Sequence, residues 1–205
     1  MTDYQALLFD FDGVLADSEP IHFACWREVL KPRGIDLQWD IYTAKCIGVS
    51  DRDMIAGLCD GAAGEIDFTE VWQEYPRKQA LFAERMATAD VFVAETVNLI
   101  HSLHGMRMAV VSSSKRHEIE PPLIRAGIRH RFEAMVCGSE EVKRLKPAPD
   151  PYLLAAEKLG VERALVIEDS DAGEQSGRDA GFDVVRIRNP REVAHRVREA
   201  LGMLK

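Results

Sequence analysis

The chain has 205 residues, 46% of them hydrophobic and 29% charged, the balance of a soluble globular protein long enough to bury a proper core. Its formal net charge of −8 leaves no basic excess to neutralise phosphates, which argues against non-specific binding to nucleic acid or to an anionic membrane surface. No apolar stretch approaches a membrane span, and the start, Met1-Thr2-Asp3-Tyr4, lacks the basic region of a signal peptide, so a cytoplasmic protein is expected.

In chain order, the first element is an apolar run, Ala6 to Phe9, that breaks off in Asp10-Phe11-Asp12-Gly13. Two carboxylates at i and i+2 lie on one side of an extended chain, and a glycine directly after them lets the backbone turn. At the C-terminal mouth of a parallel sheet, where open α/β proteins bind their ligands, such a pair needs a metal ion or a cation beside it. Residues 18 to 88 then contain no convincing strand. Apolar spacing predicts helices near 19–31, 38–45, 50–59 and 68–87, broken by Pro32-Arg33-Gly34 and Gly61-Ala62-Ala63-Gly64.

From about Asp90 the pattern alternates. Helices are predicted over 91–103, 115–126, 149–159, 171–180 and 190–201, with strands over 108–111, 132–136, 164–167 and 183–187 between them. Short β-branched runs separated by helices of this length predict an α/β fold: a doubly wound, parallel-sheet, Rossmann-like core carrying an inserted all-helical cap domain. The expected domains are residues 1–17 with 89–205 for the catalytic core and 18–88 for the cap, joined by two short crossings. Cys25, Cys46, Cys59 and Cys137 are irregularly spaced, with no Cys-x-x-Cys, and read as reduced thiols packed as small hydrophobes.

Three further features fall at predicted strand ends. Ser112-Ser113-Ser114 offers hydroxyls and backbone N–H groups at the start of a helix, an anion site or simply a helix cap. Lys146-Pro147-Ala148-Pro149 sets a lysine between a loop and the next helix; alone it would read as a solvated surface lysine. The run Leu165-Val166-Ile167 ends in Glu168-Asp169-Ser170, again adjacent acids, and a helix cap would account for Asp169 or Ser170.

Taken together, Asp10-x-Asp12-Gly13, Ser112, Lys146 and Glu168-Asp169, in this order at successive strand ends, resemble the four motifs of the haloacid dehalogenase superfamily of phosphoryl-transfer enzymes. The resemblance covers essentially the whole chain. It implies Asp10 as nucleophile forming an aspartyl phosphate, and Asp12 as the acid that protonates the leaving oxygen and then takes a proton from water. It implies Mg²⁺ as cofactor, held by Asp10, the backbone carbonyl of Asp12 and Asp169, with Glu168 close by. Ser112 and the Ser113 amide would hold phosphate oxygens, and Lys146 would spread the negative charge. Asp12 favours phosphoryl transfer, because halide leaves without a proton.

Within the superfamily the chain is similar to the helical-cap subgroup that includes phosphoglycolate phosphatase, sugar-phosphate phosphatases and beta-phosphoglucomutase. His22 stands where the mutase has a histidine that orients the general acid; a packed helix histidine is the equal alternative. In the cap, Ile47 precedes Gly48 where the mutase carries a lysine, and Asp51 replaces an arginine, although Arg52 follows. Arg77 and Lys78 could align with basic residues that hold the mutase's second phosphate, but a surface charge pair is the expected reading. With that cationic set depleted, the expected activity is a Mg²⁺-dependent phosphatase on a small phosphorylated metabolite. Gly48, Ser50 and Arg52 form the expected cap loop, and Ser50 also suits a helix N-cap. A hexose-phosphate mutase is the alternative, and a catalytically idle binding module the third. A monomer without nucleic-acid or membrane partners is expected.

Overall fold

The computed structural model describes residues 3–47, 49–62, 66–138 and 141–204. The chain divides into two compact units, one made of Met1–Asp17 with Ala89–Lys205 and the other of Ser18–Thr88.

The first unit is built on five parallel strands, β1 (Ala6–Phe9), β2 (Arg107–Ser112), β3 (Ala134–Cys137), β4 (Ala164–Glu168) and β5 (Asp183–Arg186), in the spatial order β3-β2-β1-β4-β5. Every residue of β1 is buried, as the centre of a sheet covered on both faces requires. Alternation along the strands sorts the side chains. Ala6, Leu8, Ala109, Val111, Ala134, Val136 and Val166 pack in one cluster with Tyr152, Ala155 and Leu159 of helix α8 (Asp150–Leu159). Leu7 and Phe9 alternate with them, and Phe9 meets Phe132 edge to face at 6.1 Å. Helix α9 (Asp171–Asp179) lies against β4 and β5, close enough that a Cβ on Gly177 would come within 2.9 Å of Val184. Helices α6 (Ala94–Ser102), α7 (Arg116–Arg125) and α10 (Val193–Ala200) complete this unit.

Strand order reverses between β1 and β4. That switch point is where an open α/β sheet leaves a crevice at its C-terminal edge.

The second unit contains α1 (Glu19–Leu30), α2 (Trp39–Lys45), α3 (Asp51–Asp60), α4 (Phe68–Trp72) and α5 (Tyr75–Thr88) around Trp26, Val29, Leu30, Leu37, Ile55 and Val71. The four cysteines are free and buried, as expected. Among the described residues no helix is long and apolar enough to cross a membrane.

Boundaries differ from the sequence pattern in several places, and three of the differences have a clear local reason. The helix expected over 68–87 is two helices, because Pro76 in the first turn of α5 has no N–H to carry the ladder back to Trp72. The helix expected from 91 starts at Ala94, because the Val91 carbonyl accepts from the Asp17 amide and Phe92 bridges Ala16 in antiparallel fashion. The helix expected over 190–201 opens as a 3₁₀ turn, Pro190–Glu192, before α10 begins.

Candidate active site

The site grows out of strand register. Phe9 of β1 stands opposite Ile167 of β4, and the Asp10 amide donates to the Ile167 carbonyl at 3.0 Å, so Asp10 and Glu168 leave the sheet side by side. Lys146 Nζ reaches between them. It lies 2.6 Å from Asp10 Oδ1, 2.6 Å from Glu168 Oε1 and 2.9 Å from the Val111 carbonyl of β2. The solvated lysine that this residue suggested in isolation is instead a buried cation tying three strands together.

Glu168 is fully buried and accepts five donors. Lys146 and the Tyr152 hydroxyl (2.8 Å) meet Oε1, while the Asp169 amide, the Ser170 amide and the Ser170 hydroxyl meet Oε2. Burial opposes its ionisation, but Lys146, Tyr152 and the Ser170 amide more than offset this and hold the carboxyl below the usual range. Asp10 goes the other way. Burial pushes it well above the usual range, Lys146 opposes the rise, and Glu168, Asp169 and Asp12 add to it. For Lys146, burial disfavours the charge, yet Asp10 and Glu168 outweigh it and raise the ammonium pKa.

Asp10, Glu168 and Asp169 can each present one oxygen such that all three lie within 4.8 Å of one another. A cluster of hard oxygen donors at one point suits Mg²⁺. Glycines make the room: a Cβ on Gly13, at φ +74°, would fall 2.0 Å from Asp169 Oδ2, and one on Gly173 would fall 1.8 Å from Glu168 Oε1. With its lone pairs engaged by five donors, Glu168 is a brace for Lys146 and the Asp169 loop, and Asp10 and Asp169 are the better placed ligands.

Asp12 lies in the tight loop after β1, where the Gly13 amide donates to Ala16 and the Ala16 amide to Phe11. Its Oδ2 accepts from the Ser114 hydroxyl at 2.7 Å. Ser112, the buried last residue of β2, accepts from the Ser114 amide at 3.0 Å, and Ser113 is exposed beside it. The sequence pattern singled out Ser112 and Ser113 but missed Ser114, Tyr152 and Gly173. Ser114 was visible only as part of a serine run, and Tyr152 only as a tyrosine on an otherwise apolar helix face.

The cap candidates are placed within the second unit. His22 stacks on Phe82 with ring centroids 3.9 Å apart, and its Nδ1 lies 3.0 Å from Lys78 Nζ. Lys78 is not half of a surface charge pair: it is 3% exposed, lies 3.3 Å from Asp51 Oδ2 and faces the Trp26 and Phe82 rings. The apolar face of α5 carries it inward, whereas Arg77 stays outside. Ser50 is the N-cap of α3, accepting from the Asp53 amide at 3.1 Å. Arg52 is exposed, with its guanidinium over Phe68 and Trp72. Gly48 lies outside the described residues.

The chain has relatives among known proteins. Residues 7–187 match the family model of the haloacid dehalogenase-like hydrolases. The chain is 37% identical over 189 residues to the fructose-1-phosphate phosphatase YqaB of Escherichia coli, covering 90% of this chain and 97% of that protein. It is 32% identical over 184 residues to a phosphorylated carbohydrates phosphatase of Thermotoga maritima, covering 87% and 82%. Among solved structures, CbbY from Rhodobacter sphaeroides in complex with phosphate superposes with a TM-score of 0.71 at 27% identity, covering 90% and 87%. With family match, fold and strand-end acids in agreement along nearly its whole length, the chain belongs to the haloacid dehalogenase-like hydrolases.

Proposed function

We propose that the protein is a Mg²⁺-dependent phosphatase acting on a small phosphorylated carbohydrate, with residues 1–17 and 89–205 as its catalytic domain and 18–88 as its cap domain. The observation that carries this reading is Lys146 bridging Asp10 and Glu168 while Asp12 is present and held by Ser114. Asp10 attacks phosphorus, the ester P–O bond breaks, and the departing oxygen takes the proton of Asp12. Water then attacks the aspartyl phosphate, gives its proton back to Asp12, and inorganic phosphate leaves with Asp10 restored. Ser114 holds Asp12 Oδ2 and so orients the carboxyl that exchanges the proton. Ser112 and the Ser113 amide receive phosphate oxygens, and Lys146 holds Asp10 in line and offsets the charge that gathers there. A Mg²⁺ held by Asp10, the Asp12 carbonyl and Asp169 would supply further charge neutralisation.

The Lys78–Asp51 pair takes one cation out of the set that mutase chemistry could use. Lys78 is the one buried cation of the second unit among the described residues, and a carboxylate already neutralises it. A mutase needs a cation for a second phosphate. Substrate choice falls to exposed cap side chains, for which Ser50 and Arg52 are the candidates.

Purified protein with Mg²⁺ and a panel of phosphate esters that includes fructose 1-phosphate and glucose 6-phosphate should release phosphate, and Asp10→Asn should release none. Interconversion of glucose 1- and 6-phosphates without net release would establish the mutase instead. Wild type indistinguishable from Asp10→Asn on every ester would overturn both.

A further inference from the structure

One charged feature takes no part in this chemistry. From the last residue of β5 onward, residues 186 to 199 hold five arginines against two glutamates, in a chain whose net charge is −8. The fold gathers four of these arginines around a cavity of about 660 Å³ lined by Arg186, Arg188, Arg191, Glu192, His195 and Arg196.

Local structure explains the arrangement. Val193, Ala194 and Val197 are buried, which seats one face of α10 on the unit and turns His195 and Arg196 outward. Asn189 Oδ1 accepts from the Arg191 amide at 2.9 Å and Glu192 Oε2 from the Arg188 amide at 3.4 Å, so the turn between strand and helix is braced by its own side chains. Arg186 is paired with Asp171 and Glu174 of α9, at 3.0 and 3.2 Å, and Arg196 with Glu199 at 3.1 Å. Arg188 and Arg191 are exposed and have no ion pair among the described residues. Both line one concave surface, and a guanidinium fork fits a phosphoryl group through two parallel hydrogen bonds.

We propose that this cavity is a second binding site, for a small molecule carrying at least two phosphoryl charges, distinct from the acid cluster. The cavity has the size of a metabolite site. A nucleic-acid strand would need a basic stripe, and it would meet repulsion from the acidic remainder of the chain.

Inorganic pyrophosphate is a suitable probe. In metal-free, EDTA-treated protein a double variant at Arg188 and Arg191, which leaves Ser112, Ser113 and Lys146 intact, tells binding in the arginine cavity from binding at the candidate active site. Calorimetry at low salt should show saturable binding to wild type that weakens as salt rises, and Arg188→Gln with Arg191→Gln should weaken it by about tenfold or more. Both positions are exposed, so the variant should keep the wild-type melting temperature and esterase rate. Absence of saturable binding, or equal binding by the double variant, would overturn the proposal. So would binding of a single-stranded oligonucleotide through the same arginines with none of pyrophosphate. Because no turnover is measured in the binding assay, its outcome is independent of whether the protein proves to be a phosphatase.

Discussion

A lysine ammonium 2.6 Å from two buried carboxylates, as Lys146 is from Asp10 and Glu168, neutralises charge that burial would otherwise expel by protonation. Replacing it with methionine should abolish turnover and cost about 3 kcal/mol of stability, because Glu168 keeps its burial but loses its cation; denaturant titration with and without Mg²⁺ measures the loss. The two carboxylates should show opposite linkage to pH. Glu168, held low, contributes stability that is present above the usual carboxylate range and is lost as pH falls through its depressed value. Asp10, held high, protonates readily in the metal-free fold. Stability therefore declines as pH rises from the usual carboxylate range through its raised value. Metal-free Asp10→Asn should accordingly melt above metal-free wild type at neutral pH, the gap should close in acid, and added Mg²⁺ should raise the melting temperature of wild type alone. The acids and Lys146 were legible because each lies directly after an apolar run or beside prolines. Ser114 meets Asp12 across 102 residues and Tyr152 meets Glu168 across 16, contacts that only the folded chain brings about. Lys78 misled for the same reason: beside Arg77 it reads as surface, and helix rotation buries it.

At the scale of elements, α9 shows how a helix can serve a site without contributing a reactive group. Its N-cap Ser170 accepts from the Gly173 amide at 3.0 Å, and Gly173 lets the first turn close onto the Glu168 carboxylate. Gly173→Ala should push α9 and Glu168 apart, with loss of both melting temperature and activity. Gly57, in the exposed interior of α3, provides the contrast, since a methyl added there would meet nothing within 4 Å. Gly57→Ala should raise stability by about 0.5–1 kcal/mol with activity unchanged, because only helix propensity is altered; thermal melts and ester hydrolysis on both variants test the pair. The alternation of strands and helices was readable along the chain because fully buried parallel strands are short, continuous apolar runs. Boundaries were misread where proline interrupts the ladder, at 76 and 190, or where backbone pairing competes, as at Val91 and Phe92.

For the whole molecule, the central strand pairs only with segments far away in sequence: Phe9 stands against Val110 on one side and Ile167 on the other. A chain cut after residue 160 keeps β1, β2 and β3 but loses β4, so the edge of β1 that β4 covers stays open. Hydrogen exchange should then find the amide of Asp10, which donates to the Ile167 carbonyl, and that of Leu8, on the same side of the strand, unprotected in the cut chain and protected in the intact one, while Leu7 and Phe9, which face β2, keep more of their protection. The same topology governs how the protein is made. Translation delivers Leu7-Leu8-Phe9 well before β2 and longer still before its second neighbour, β4. For that interval the nascent chain carries a bare apolar strand with an unpaired edge, the kind of segment that invites association with other chains. The strand that leads into Asp10 is therefore exposed on the ribosome until β4 emerges.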